Sequence, residues 1–200
     1  YASQYIEQVV EWRRYIHSYP ELSGEEKHTS LFIQKVLGEL GIPFVNDVSD
    51  YAVIGKIEGS HPGPVIALRA DIDALPIHEE TDLPFASQNE GVMHACGHDS
   101  HIAILLGAGA ILQSIKDQLH GTVKLVFQPS EEEALFPGAQ GIVDSGILDD
   151  VDEIYGLHVW PQLPVGTVGL KKGNLMAASD HFLVHIKGKA THGAEPHNGV

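Results

Sequence analysis

A single cysteine, Cys96, stands in the 200-residue sequence. No internal disulfide framework can therefore staple the chain, and a reducing compartment is expected. Basic residues are scarce: 12 lysines and arginines face 27 aspartates and glutamates, for a net charge of −15. That balance disfavours nucleic acid and anionic membrane as partners, because both call for basic patches. No apolar run approaches the roughly 18 residues that a transmembrane helix needs. Tyr1-Ala2-Ser3-Gln4 opens directly into an amphipathic pattern without a signal peptide, so cytoplasm is the expected location.

What is present reads as a soluble globular protein, with 43% hydrophobic and 20% charged residues. The length suffices for one core, or for one domain plus the start of another. Thirteen histidines exceed what a chain of this size ordinarily carries. No internal repeat or low-complexity tract interrupts it.

Periodicity predicts a helix over 3–18 with Ile6, Val9, Val10, Arg13 and Ile16 near one face. A second helix follows a capping-box pattern, Ser23-Gly24-Glu25-Glu26, and ends at Gly41 and Pro43. Apolar runs predict buried strands over 53–58, 64–70, 122–128 and 153–159. Asp99 is the expected N-cap of a helix to about residue 116 that carries Ile104, Ala108, Ile111, Leu112 and Ile115. A short helix is expected over 139–145, and 76–95 reads as a long irregular connection. Strands alternating with helices predict an α/β fold with a mainly parallel central sheet flanked by helices. The apolar-polar alternation over 179–187 predicts a half-exposed strand and entry into a smaller α+β domain. The expected organisation is a catalytic domain over 1–175 and the beginning of a second domain over 176–200.

Candidate chemistry gathers at strand ends, where open parallel sheets form their sites. Met93-His94-Ala95-Cys96-Gly97-His98-Asp99-Ser100-His101 places a thiol and an imidazole one residue apart, a pair suited to a borderline-soft transition metal. Arg69-Ala70-Asp71-Ile72-Asp73, Gln128-Pro129-Ser130-Glu131-Glu132-Glu133 and Gly156-Leu157-His158 end three strands. Adjacent acids on extended backbone point to opposite sides. Glu131-Glu132 thus offers a general base beside a ligand, as metal-assisted hydrolysis requires.

These segments, with Ala74-Leu75-Pro76 after Asp73, resemble the M20 metallopeptidase/amidohydrolase family in motif order across nearly the whole chain. The likeness is strongest to its aminoacylase-like branch of N-acyl-amino-acid, hippurate and auxin-conjugate amidohydrolases and N-acetyldiaminopimelate deacetylases. The resemblance implies a zinc-exopeptidase-like fold and a metal-dependent hydrolase of N-acyl amino acids or related small conjugates. It implies two divalent ions, manganese or zinc with cobalt or nickel also admissible, held by Cys96, His98, Glu132 and His158. Glu131 would be the general base and Asp73 would support the site. Asp71 stands where other branches have a metal-binding histidine. The 188–197 segment resembles the start of a dimerisation, or lid, domain. His192 matches the histidine that reaches a partner subunit's site to hold the substrate carbonyl, which implies a homodimer or higher homo-oligomer. A further ligand histidine is expected beyond residue 200.

Simpler readings stand beside these. Cys96 could be a buried inert thiol or a histidine-activated nucleophile. Glu131-Glu132-Glu133 could be a solvated turn, His158 a core histidine, and Asp71 a turn cap or a site residue. His94 and His101 read as supporting or surface groups, and His197 as structural. His17, His28, His61, His78, His120, His181 and His185 carry no assigned role. The alternative to catalysis is a hydrolase-fold binding or assembly module with an incomplete metal site.

Overall fold

The computed structural model describes residues 1–133, 138–178 and 182–199. The chain divides into two units, Tyr1–Pro164 and Val165–Val200. In the first, helices α1 (Ile6–Ser18) and α2 (Lys27–Glu39) precede strands β1 (Phe44–Val45), β2 (Val53–Glu58) and β3 (His61–Asp71). Helix α3 (His98–Ser114), strand β4 (His120–Gln128), helix α4 (Gly138–Asp144) and strand β5 (Glu153–Gly156) complete it.

The five strands pair in the order β1-β2-β4-β3-β5. Strands β4, β3 and β5 run parallel, while β2 and β1 extend the sheet antiparallel beyond β4. The parallel part brings Asp71, Gln128 and Gly156 to one edge, where the carboxyl ends of three strands face the loops that follow.

The period of two along β4 divides the core. Leu125 and Phe127 pack with Trp12, Ile16, Ile33, Leu37, Ile102 and Leu106 of α1, α2 and α3. Val126, pointing the other way, packs with Ala52, Ile54, Ala67 and Ile142 of α4. Both faces of the sheet are thus covered, which accounts for the near-continuous apolar runs of β3 and β4. Among the described residues no helix is long and apolar enough to cross a membrane.

Several local expectations are corrected. Ser23 does not cap α2: Glu26 is the N-cap residue, and the Ser23 hydroxyl donates to Asp73 Oδ2 at 2.7 Å. Asp99 does not cap α3, whose N-cap is Gly97. It is buried within the first turn instead. The buried face of α3 runs through Ile102, Leu106 and Ala110 while Ile104 is exposed. This helix is apolar nearly all round, so no stripe marks the inward side. Strand β5 stops at Gly156 and all four of its residues are exposed; among the described residues it lies at the sheet edge, paired with β3 alone.

In the second unit, residues 182–187 form no strand and Phe182, Val184 and Ile186 are exposed. Alternation makes a strand only where a neighbour completes its ladder, and none pairs with this stretch among the described residues. Residues 179–181 of that expected strand lie outside the described residues.

Candidate metal centre

The four expected ligands meet at the carboxyl edge of the sheet. Cys96 and His98 flank Gly97, which adopts the left-handed φ of 87° that a β-carbon opposes. A β-carbon there would also lie 2.4 Å from Val159 Cγ2, so glycine lets the His158-Val159 segment close onto this turn. Cys96 Sγ then lies 3.3 Å from His158 Nε2.

His98 is 1% exposed, and its Nδ1 donates to the Asp73 carbonyl at 2.9 Å, with Asp73 Oδ1 at 3.2 Å. That fixes the tautomer and leaves Nε2 with a lone pair. Nε2 is buried without a hydrogen-bond partner. It lies 3.5 Å from Asp71 Oδ2, 3.8 Å from Glu132 Oε1 and 3.9 Å from Glu131 Oε2. His158 is oriented the same way: its Nδ1 donates to the Val159 carbonyl at 2.6 Å, so Nε2 faces Cys96 as an acceptor.

Asp73 joins two of these arms. Beyond its bond to His98, its Oδ2 accepts the Glu132 backbone N–H at 2.9 Å. Ser130, just before the two glutamates, holds a φ of 50°, an uncommon value for a residue with a side chain. Its N–H donates to Glu26 Oε1 at 2.7 Å, which anchors this turn to the start of α2.

Among the described residues, three sets of donor atoms lie within 4.8 Å of one another: Cys96, His98 and His158; His98, Glu131 and Glu132; and Asp71, His98 and His101. His98 belongs to all three. The electrostatics call for a cation. Burial and the neighbouring Glu132 and Glu131 push the Cys96 thiol up to about 12, the opposite of an activated nucleophile. Burial followed by the charges of Glu132 and Asp71 raises the Glu131 carboxyl. Burial would raise Asp71 as well, but a hydrogen bond from His101, the neighbouring His98 ring and the Arg69 guanidinium hold it at about 2. Thiolate, imidazole and carboxylate together fit divalent transition ions, and the orphaned Nε2 of His98 could supply such an ion with a nitrogen ligand. A cation also offsets the repulsion among these acids.

Further buried polar residues lie beside this centre, among them His17, given no role by the sequence, and Asp99, expected there as a helix cap. Asp99 Oδ2 meets Arg13 Nε at 2.7 Å and His17 Nδ1 at 2.8 Å, and His17 Nε2 meets Glu79 Oε1 at 3.1 Å. Glu79 in turn accepts the Ser87 N–H at 2.6 Å, so this buried chain pins the 76–95 connection to α1 and α3. His101, 2% exposed, bonds Asp71 rather than lying at the surface. Helical spacing is the signal for both: Arg13 with His17 at i, i+4, and His98 with His101 at i, i+3, share a face. His192 lies in the second unit, where its Nδ1 accepts the Ala194 N–H at 3.2 Å.

Residues 67–197 match the model of peptidase family M20/M25/M40. The chain is 52% identical to the N-acetyl-L-cysteine deacetylase of Bacillus subtilis (strain 168), over 96% of this chain and 46% of that protein. It is 44% identical to the N-acyl-L-amino acid amidohydrolase of Geobacillus stearothermophilus, over 96% of this chain and 52% of that protein. Among solved structures it resembles the Bacillus subtilis YXEP protein, described as a dinuclear metal-binding peptidase from the M20 family. The TM-score is 0.81 at 46% identity, covering 86% of this chain and 48% of the other. The chain thus spans about half the length of the curated relatives it matches.

Proposed function

The chain belongs to peptidase family M20/M25/M40, and on that premise we propose that the protein is a metal-dependent amidohydrolase that removes the acyl group from N-acyl amino acids. The observation that carries this reading is the buried, unpartnered Nε2 of His98 at the meeting point of Cys96, His158, Glu131 and Glu132. Relatives named as an N-acetyl-L-cysteine deacetylase and an N-acyl-L-amino acid amidohydrolase support the substrate class.

In this reading Cys96, His98, Glu132 and His158 hold two divalent ions, manganese or zinc, with cobalt or nickel also able to serve these ligands. When bound, the ions polarise a carbonyl and lower the pKa of water. Glu131 takes the proton from the attacking water and delivers it to the leaving nitrogen, so the amide C–N bond breaks as the new C–O bond forms. Asp73 holds the His98 ring through Nδ1 and the Glu132 backbone through its N–H, which keeps both ligands aimed. The raised carboxyl of Glu131 reflects burial and the nearby acids, a setting that suits a proton carrier.

The finer parts of the proposal concern assembly. Residues 1–175 form the catalytic part, and 176–200 begin the dimerisation, or lid, domain. His192 serves the site of a partner subunit by holding the substrate carbonyl, in a homodimer or higher homo-oligomer. The protein works in the cytoplasm.

The test is a panel of N-acetyl and N-benzoyl amino acids with the full-length protein. Hydrolysis that is abolished by chelation and restored by manganese or zinc is the expected result. Hydrolysis that survives exhaustive chelation and stops on thiol alkylation would replace the metal reading with a thiol one.

A further inference from the structure

Strand β5 ends at Gly156 opposite Arg69, so the sheet ladder does not hold the stretch that carries His158. Its neighbours Leu157 and Trp160 are exposed. A hydrogen bond ties the stretch to α3: the Val159 N–H donates to His101 Nε2 at 3.0 Å. A backbone amide can only donate. His101 Nε2 is therefore unprotonated, and Nδ1 carries the proton and donates it to Asp71 Oδ1 at 2.5 Å.

Both ring nitrogens of His101 are thereby used. Although its donor atom lies within 4.8 Å of those of Asp71 and His98, it has no lone pair left for an ion. Asp71 is similarly engaged. Its other oxygen accepts Arg69 Nη1 at 2.7 Å, and Arg69 Nε donates to Gln128 Oε1 at 2.9 Å on β4. The chain Gln128–Arg69–Asp71–His101–Val159 runs from the centre of the sheet to the loose segment. On its other side Val159 packs against Gly97, and the His101 and His158 rings meet edge to face with centroids 4.8 Å apart.

We infer that His101 is a positioning residue: by accepting the Val159 N–H it holds His158 toward Cys96 and His98, and Asp71 and Arg69 act through it by fixing its tautomer. The inference rests on the proposed role of His158 as a metal ligand. It also assigns Asp71, whose part the sequence leaves open, to orienting a histidine rather than binding an ion.

The test uses the full-length protein and manganese or zinc alone, reading metal per chain, metal affinity and the metal-induced rise in Tm. The rise, compared with the chelated form of each variant, separates a loss of metal from a general loss of stability. His101→Asn keeps a donor near the Nδ1 position for Asp71 but cannot reach Val159. His101→Gln keeps an acceptor near the Nε2 position for Val159. Asn at 101 is expected to weaken metal binding by about 10–100-fold, the usual effect of removing a group that orients a ligand. Gln at 101 is expected to restore most of that loss, and Asp71→Asn, which keeps an oxygen for the His101 N–H, to retain both ions.

A His158→Ala background makes the test specific. If His101 acts through His158, adding His101→Asn to it costs less than about twofold more, because the two changes remove one interaction. The 15N shifts of His101 are expected to report an unprotonated Nε2. The inference is overturned if both His101 variants bind metal as the parent does, if the Asn change keeps its full effect without His158, or if Nε2 carries the proton. A parent protein that takes up no divalent ion overturns the proposed function itself, and this inference with it.

Discussion

Gly97 and Val159 lie so close that a β-carbon on Gly97 would stand 2.4 Å from Val159 Cγ2, and the backbone of Gly97 is left-handed as well. Gly97→Ala therefore meets two penalties. The left-handed backbone costs about 1–2 kcal/mol for a residue with a β-carbon. The stiff Val159 side chain must also move, and His158 moves with it. Lower Tm together with weaker metal binding is the expected outcome, measured by thermal melts with and without zinc. Val159→Ala in the same chain should restore metal binding while leaving most of the Tm loss. Metal binding unchanged in Gly97→Ala would show that this contact does not position His158.

The His17 network makes a pH-dependent contribution to stability. Both His17 nitrogens face carboxylates, so the ring is an imidazolium, and the hydrogen bond to Asp99 raises its pKa against the opposing effect of burial. A folded pKa raised above the unfolded value near 6.5 adds stability that is fully present below that value. It is lost as pH rises through the folded pKa. Asp99 and Glu79 are both lowered despite burial, so they stay ionised throughout this window. His17→Gln should cost about 3 kcal/mol near pH 6, the scale of breaking a buried pair, with Arg13 still facing Asp99. The difference from the parent should shrink as pH rises from 6.5. Denaturant unfolding at several pH values checks this, and a pH-independent difference would contradict it.

Phe127 is fully buried beneath α1, α2 and α3, three residues before the turn at Ser130. Phe127→Ala should destabilise the protein by about 3–5 kcal/mol through lost burial and the cavity left behind. The midpoint of denaturant unfolding measures it. A change below about 1 kcal/mol would mean that the site collapses around the smaller side chain.

The α/β alternation was legible because β3 and β4 are buried on both faces and their apolar runs are long. What escaped were features set by neighbours. β1 has two residues and too little pattern to read. β5 is exposed where, among the described residues, it pairs with β3 alone, which its own residues do not encode. At the site, Cys96, His98, Glu131, Glu132 and His158 stood out because motif and strand end coincide. His17, His101, Ser23 and Glu26 did not, since each acts on a partner 30 or more residues away. Asp99 and Ser23 look like helix caps in sequence, yet each gives its side chain to a distant partner instead. Local capping lost to long-range pairing at both positions.

The central claim is that Glu131 moves the proton while its neighbours hold the ions. Glu131→Gln removes the proton acceptor, keeps the shape and leaves Cys96, His98, Glu132 and His158 in place. Measured in the full-length, metal-loaded protein with an N-acetyl amino acid, kcat is expected to fall by about 10²–10⁴-fold, the usual range for losing a general base. Metal analysis of the same sample should still find two ions per chain. Activity near that of the parent with both ions bound would contradict the account.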